Sequence, residues 1–391
     1  MTGPITTATP LCPHFGTCGG CQYQDLAYAE QLRIKRTLLT DLLQQAGIEA
    51  TPNIELHSAK PYHYRNRIRL RVEKIDSQLR FGYNTRTTTD FLPIITCPIA
   101  APILIQTAEA LITAATEDRD AAFWLNATAE VELFVNDDLT RVQLTLFCAP
   151  RTKSPQGSFI RMINTLQIHA PQIVGAAAVA FDPRTGPTGR TLAEAGAQGL
   201  NYRVVVSPEH DETYWIARGG FFQVNRFLFD TLVTLVTKTD GEPRSGVLAW
   251  DLYAGVGLFS RVLARSFIRI TAVEANPIAA SDLRASLLKL NPHHTAIEST
   301  TLDFLRRAVL DRDRPDLIVL DPPRAGAGVE ACELLNRIAA PQIVYVSCDP
   351  TTLARDLATL QPVYRITALH LVDLFPQTSH LETIVVLERR A

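Results

Sequence analysis

Three stretches near the C-terminus hold side chains that could do chemistry together. Cys348 ends the apolar run Val344-Tyr-Val-Ser-Cys348 and precedes Asp349-Pro350-Thr351-Thr352-Leu353, a helix start. Cysteine within an apolar strand is usually core filler. A cysteine after the run faces the crevice at the strand end, and the dipole of the following helix favours a thiolate there. Asp321-Pro322-Pro323-Arg324 closes the preceding apolar run, and its two prolines stiffen the loop. Glu382 opens the last apolar run, after the loop Phe375-Pro-Gln-Thr-Ser-His380. A Glu at a strand start is normally solvated, so alone it points to no particular chemistry.

A second constellation lies upstream. Asp251-Leu-Tyr253-Ala-Gly255-Val-Gly257-Leu-Phe-Ser260 follows an apolar run and opens a helix. Glycines at such a turn let the backbone approach a ligand closely. Glu274 ends the next apolar run, at the offset of about 20 residues that suits hydrogen bonds to ribose hydroxyls. Ser260 stands where the dinucleotide fingerprint has its third glycine. An Asp opening the loop resembles an S-adenosylmethionine site more than a dehydrogenase site.

The third constellation is N-terminal. Cys12-x5-Cys18-x2-Cys21 lies in a Gly-containing loop, and Cys97-Pro98 follows downstream. Four thiolates suit zinc or an iron–sulfur cluster, and spacing alone leaves both open.

These residues need a scaffold, and the hydrophobic periodicity supplies one. Leu26 through Ala46 recurs at helical spacing, with Asp25 as N-cap and Gly47 as C-terminal cap. From about residue 60 the period changes to two. Arg65, Arg67, Arg69 and Arg71 alternate with Asn66, Ile68, Leu70 and Val72, with Gln78–Tyr83 as hairpin partner. The arginine face would bind phosphates or form a salt-bridged strand face. Residues 60–215 read as mostly β, with helices near 101–115 and 156–167. After about residue 218, apolar runs at Val247–Tyr253, Ile268–Glu274, Asp316–Leu320 and Ile343–Ser347 alternate with helical patterns, which implies a parallel sheet covered on both faces. Two further strands, Tyr364–Val372 and Glu382–Leu387, finish the chain.

Composition sets the outer bounds. The 391 residues are 46% hydrophobic and 20% charged, which excludes disorder and a disulfide miniprotein and predicts more than one domain. No apolar run reaches the ~20 residues of a membrane helix, and no secretory signal is visible. A cytoplasmic location is expected, where the seven cysteines would be thiols or ligands. Lys+Arg is 38 against Asp+Glu 40, so any nucleic-acid contact must be a local basic face.

Taken in order, Phe221-Phe-Gln223-Val-Asn225, Asp251-Leu-Tyr253-Ala-Gly-Val-Gly257, Val273-Glu274, Asp321-Pro-Pro-Arg-Ala-Gly326, Val346-Ser-Cys348-Asp-Pro350 and Phe375-Pro-Gln-Thr-Ser-His-Leu-Glu382 resemble the RNA (uracil-5-)-methyltransferases. The resemblance implies an α/β fold: a Rossmann-like class I S-adenosylmethionine (SAM) methyltransferase domain plus a smaller β-rich central domain carrying the four-cysteine site. It implies Cys348 as nucleophile and Glu382 as general base. It places Gln223, Tyr253, Glu274 and Asp321 in the SAM pocket, with Gln223 also reaching the uracil and Phe222 shaping the pocket. On the Cys-x5-Cys-x2-Cys…Cys-Pro pattern it implies a [4Fe–4S] cluster on Cys12, Cys18, Cys21 and Cys97, with zinc as the alternative. The x5 gap departs from the Cys-x3-Cys-x2-Cys of radical-SAM enzymes.

The implied domains are 1–23 with 56–217 (cluster and RNA contacts), a helix in 24–55 packing on the catalytic domain, and 218–391 (methyl transfer). Eleven residues precede Cys12, so the N-terminal TRAM domain of many family members is expected to be absent. Asn84-Thr-Arg-Thr-Thr-Thr-Asp90 departs from the family's Ser/His-containing version. A cluster without TRAM points to 23S ribosomal RNA as substrate, with tRNA second and a monomer favoured. Two other readings stay open. An RNA cytosine-C5 methyltransferase would carry Pro-Cys where Asp321-Pro322-Pro323-Arg324 stands. A non-catalytic, cluster-bearing RNA-binding protein would not bind SAM.

Overall fold

The structure is a computed structural model that describes residues 5–48, 51–149, 156–182 and 186–391. Residues 1–4 of the expected N-terminal tail lie outside the described residues. The chain divides into two compact units. One comprises Met1–Ala27, Lys60–Arg203 and Trp215–Arg226; the other comprises Tyr28–Ala59, Val204–Tyr214 and Phe227–Ala391.

The first unit is built on a seven-stranded sheet in the order Phe91–Pro93, Gln78–Asn84, Arg67–Ile75, Thr128–Val135, Val142–Cys148, Ile173–Asp182, Gly186–Gly196. The hairpin joining Arg67–Ile75 to Gln78–Asn84 pairs Ile75 with Gln78. Its two turn residues, Asp76 and Ser77, have φ of 47° and 66°. Positive φ at both positions is the type I′ geometry, whose twist matches the strands. Helices Pro102–Glu117, Arg119–Asn126 and Gln156–His169 supply the rest of the core, with Leu104, Leu111, Trp124 and Phe159 fully buried against Leu133, Leu144 and Ala178. Periodicity reading missed Arg119–Asn126, which is only eight residues long. Its start is fixed by Asp118, whose side chain accepts from the Ala121 N–H at 2.7 Å.

The second unit carries an eight-stranded sheet in the order Ile54–His57, Tyr364–Val372, Glu382–Arg389, Gln342–Ser347, Leu317–Leu320, Gly246–Leu252, Phe267–Glu274, Thr295–Glu298. Glu382–Arg389 runs antiparallel to both neighbours, and the other pairings are parallel. This is the Rossmann-like sheet with a terminal antiparallel strand. Leu317–Leu320 is buried at every position, as expected of a strand covered on both faces.

The helix Tyr28–Gln45 belongs to this second unit. Leu39 and Leu43 are buried with Leu335, Leu353 and Leu357 in one apolar cluster. It begins two residues later than an Asp25 cap requires. Asp25 instead offers its backbone carbonyl to the Ala8 N–H at 2.8 Å. Gly47 does end the helix: φ is +75°, and Gly47 and Ile48 donate back to Gln44 and Leu43 at 2.9 Å each.

Candidate active site

The register of three strands brings the catalytic candidates together. In the antiparallel pair Gln342–Ser347/Glu382–Arg389, Ser347 faces Thr383. Continuing that register by one residue sets Cys348 opposite Glu382 at the same sheet end. On the other side of Gln342–Ser347, Leu320 pairs with Tyr345, which brings the Asp321 loop to the same edge. Leu252 lies between Leu320 and Val273, so Tyr253, Glu274 and Asp321 also meet there. In an open α/β sheet that edge is where ligands bind.

The glycine turn is held by two carboxylates. Glu274 accepts from the Gly255 N–H at 2.8 Å with one oxygen and from the Asn276 N–H at 2.7 Å with the other. Asp251 is buried and accepts from the Ser260 N–H at 2.9 Å and from the Ser260 hydroxyl. Asp251 therefore fixes the loop, and Ser260 fits the third-glycine position because its hydroxyl completes that lock. At Gly257, φ is +85° and an added Cβ would come within 2.5 Å of Leu283. Tyr253, at φ +64°, takes a backbone conformation unusual for a non-glycine residue, a form of strain found at functional turns.

The electrostatics of this edge are dominated by acids. Burial pushes the Asp251 carboxyl up to about 7, against the Ser260 hydrogen bonds. Burial and then the Asp251 charge push Asp321 up to about 7. Glu382 is 2% exposed, and burial followed by the Asp321 charge holds it well above the usual carboxylate range. Burial, with Glu382 and Asp321 adding to it, pushes the half-buried Cys348 thiol up to about 11, while Arg324 pulls it down. The expected thiolate-favouring helix start is thus outweighed. Asp349 itself takes the Thr351 and Thr352 N–H groups at 2.9 and 3.0 Å, and two acids lie beside the sulfur.

Gln223 and Phe222 lie in the other unit. Gln223 is buried, and its carbonyl accepts from the Asn66 side chain at 3.2 Å. Phe222 was expected to shape the SAM pocket. It is 3% exposed and packs on Tyr202, ring centroids 4.9 Å apart, as a core residue, whereas Phe221 is 72% exposed.

Cys12, Cys18, Cys21 and Cys97 line one cavity of about 810 Å³ within the first unit, together with Arg65, Arg69, Arg71 and Tyr83. Burial pushes Cys21 up to about 11, with Cys97, Cys18 and Cys12 adding to it. Among the described residues, no three of these sulfurs have mutual distances all within 4.8 Å. Arg65 adds a clue. Its Nε is buried without a hydrogen-bond partner, and after Tyr64 and Tyr83 the Cys97 thiol is among the groups that hold its charge. A buried cation of this kind suits an anionic centre. Arg65 precedes the strand Arg67–Ile75 and bridges Ala100 and Asn225, so it leaves the arginine face.

The other three arginines are paired. Arg67 lies 3.6 Å from Glu132, Arg69 bonds Glu130, and Arg71 bonds Glu73. Arg67 and Arg69 also stack over Phe134 and Phe147, at 4.4 and 4.0 Å from the ring centroids. The salt-bridged strand face is the arrangement found.

Among the described residues no helix is long and apolar enough to cross a membrane. The family model described as tRNA (Uracil-5-)-methyltransferase matches residues 204–390. The 23S rRNA (uracil(1939)-C(5))-methyltransferase RlmD of Klebsiella pneumoniae is 32% identical, over 100% of this chain and 84% of that protein. An RNA methyltransferase of Aquifex aeolicus is 30% identical, over 99% and 85%. The crystal structure of Pyrococcus abyssi tRNA (uracil-54, C5)-methyltransferase with S-adenosyl-L-homocysteine shares the fold. Its TM-score is 0.70 at 24% identity, over 95% of this chain and 86% of that one. The sheet order and its glycine-turn edge define a methyltransferase of the Rossmann-like type. The chain belongs to the tRNA (uracil-5-)-methyltransferase family and is an RNA methyltransferase.

Proposed function

We propose that the protein methylates C5 of a uridine in structured RNA through a covalent link between Cys348 and the pyrimidine. The observation that carries this reading is the register that sets Cys348 opposite Glu382 beside Asp321. Uracil C5 is a weak carbon nucleophile. The Cys348 thiol gives up its proton to solvent as its sulfur bonds to C6, and electron density moves to C5 and the O4 enolate. C5 then takes the methyl group, which leaves it tetrahedral and still carrying its hydrogen. Glu382 removes that proton, the C5–C6 double bond re-forms, and the sulfur departs. A carboxyl group held high in pKa by burial, as Glu382 is, suits a proton acceptor that must work near neutral pH. The uracil must leave its stack to reach the sulfur, so a flipped or splayed base is required.

S-adenosylmethionine supplies the methyl group and a sulfonium charge. Glu274 and Tyr253 would hold it at the glycine turn, and Asp321 would face it from the neighbouring strand. The acid-rich edge suits a cationic donor: burial holds up Asp251, Asp321 and Glu382, with Glu274 adding to Asp251, Asp251 to Asp321 and Asp321 to Glu382. Arg324, the cation that lowers the Cys348 thiol, would steady the enolate oxygen.

Cys12, Cys18, Cys21 and Cys97 would hold a [4Fe–4S] cluster. The buried Arg65 Nε beside these cysteines supports an anionic centre there. The cluster would support folding of the first unit and its RNA contacts and take no part in methyl transfer.

The substrate favoured is 23S ribosomal RNA, with tRNA as the alternative, because a full-length 32% identical relative acts on 23S rRNA. Mapping 5-methyluridine in rRNA and tRNA from a strain lacking the gene tests this. Loss of one rRNA position is expected; an unchanged rRNA with a lost tRNA position would overturn the substrate, and no change in either would overturn the activity.

A further inference from the structure

Glu55 and His57 lie two residues apart on the strand Ile54–His57, so their side chains share one face. The parallel register sets Glu55 opposite His370 on Tyr364–Val372. All three lie at the outer edge of the second unit's sheet, where His57 pairs with Val372 and Val372 in turn pairs with Glu382. His57 Nε2 lies 3.2 Å from His370 Nδ1. Glu55 Oε2 lies 3.3 Å from His370 Nδ1 and 3.9 Å from His57 Nε2. All three donor atoms fall within 4.8 Å of one another.

Those spacings match a metal polyhedron. Zinc bonds to imidazole and carboxylate of about 2.0–2.2 Å put tetrahedral donors roughly 3.3–3.5 Å apart. A hydrogen-bonded imidazole pair alone does not need a carboxylate oxygen aimed at the same point. The donors are two neutral imidazole nitrogens and one carboxylate oxygen, which suit zinc among divalent ions and disfavour calcium and magnesium. His370 is buried and Glu55 is 66% exposed, so the ion would have a seat on the sheet and an entry from solvent.

We propose that Glu55, His57 and His370 bind one zinc ion through Oε2, Nε2 and Nδ1, with the remaining position open to solvent. The ion clips the four-residue edge strand Ile54–His57 to the catalytic sheet. Among the described residues that strand pairs on one side only. The His57 carbonyl also accepts from the Asp373 N–H at 2.9 Å, at the start of the loop that leads to Glu382. Zinc at this edge therefore steadies the segment that carries the proposed base. The site is chemically distinct from the four thiolates, which belong to the other unit.

The test uses the untagged full chain, with wild type and variants matched for iron content. Calorimetry with zinc chloride and thermal melting are read for wild type and for the His57→Gln, His370→Gln double variant. Wild type is expected to take up one more equivalent of zinc than the variant and to melt several degrees higher with zinc. Cobalt in its place is expected to give visible d–d bands that the variant lacks, without added thiolate charge transfer. If the double variant does not fold, Glu55→Gln serves, with zinc affinity expected to fall at least tenfold. Equal zinc uptake by wild type and variant, or no uptake by wild type at micromolar zinc, overturns the proposal.

Discussion

Lys35 Nζ lies 2.6 Å from Asp373 Oδ1, with 1% and 0% of the two side chains exposed. Lys35 also donates to the Phe375 carbonyl at 3.0 Å, and the Tyr28 hydroxyl donates to the other Asp373 oxygen at 2.8 Å. One turn away, Gln31 donates to the Gln377 side chain and accepts from the Gln377 N–H, at 3.0 Å each. The N-terminal helix thus grips the segment 373–377 that precedes Glu382.

Breaking the ion pair from one side is expected to be costly. Lys35→Met leaves the Asp373 carboxylate buried with one donor fewer, a loss of about 3–5 kcal/mol. Urea denaturation should show the midpoint falling for Lys35→Met and substantially recovering in Lys35→Met, Asp373→Leu. An unchanged midpoint in the single variant would contradict the role given to the pair.

Glu382→Gln keeps the shape of the side chain and removes its capacity to take a proton. Turnover should fall by roughly 10²–10⁴-fold. A methylated protein–RNA adduct should accumulate, visible as a slow band on a denaturing gel. Full turnover without adduct would assign the proton to another group.

The acid cluster predicts a pH dependence of the ligand-free chain. Asp321 titrates near 7 in the folded state, above the ordinary 3.8. The folded state therefore binds more protons than the unfolded state in that window, and its stability falls as pH rises from about 4 to about 7. Asp321→Asn should melt higher than wild type at pH 8, and that gain should shrink by pH 5. Equal differences at both values would show that the carboxyl is not held up.

For the cysteine site, anaerobic purification should yield a brown chain with about four irons and matching sulfide. Cys21→Ser should lose the colour, and Arg65→Met should lose iron faster on exposure to air. A colourless protein with stoichiometric zinc on the four cysteines would contradict the cluster.

How much of this could be read from the chain depends on the reach of each interaction. The strands Leu317–Leu320 and Gln342–Ser347 are buried on both faces, so they stand out as apolar runs, and the chemistry at their ends is found by looking just past them. Ile54–His57 is short and half polar, and its pairing with Tyr364–Val372 joins distant parts of the chain, so no local pattern marks it. The helix Thr301–Asp311 was hidden among charges; its buried apolar residues are Phe304, Leu305 and Ala308, with Leu302 and Val309 partly buried beside them, behind a Thr300 cap. The arginine face was visible, but Glu130 and Glu132, which answer Arg69 and Arg67, come from a strand placed beside it by tertiary register. The Cys348 thiol was misjudged for the same reason. The helix start after it is local, whereas the acids that oppose ionisation come from two other strands.

The most direct test is to incubate the protein and S-adenosylmethionine with an RNA carrying 5-fluorouridine at the target position, then digest and identify any linked peptide. Fluorine at C5 cannot be removed as a proton, so the sulfur cannot leave once it has added. A stable RNA–peptide link at Cys348, absent in Cys348→Ala even though that variant still binds the methyl donor, is the predicted result. Normal methylation of unmodified RNA by Cys348→Ala, or a link to a different residue, would contradict the account.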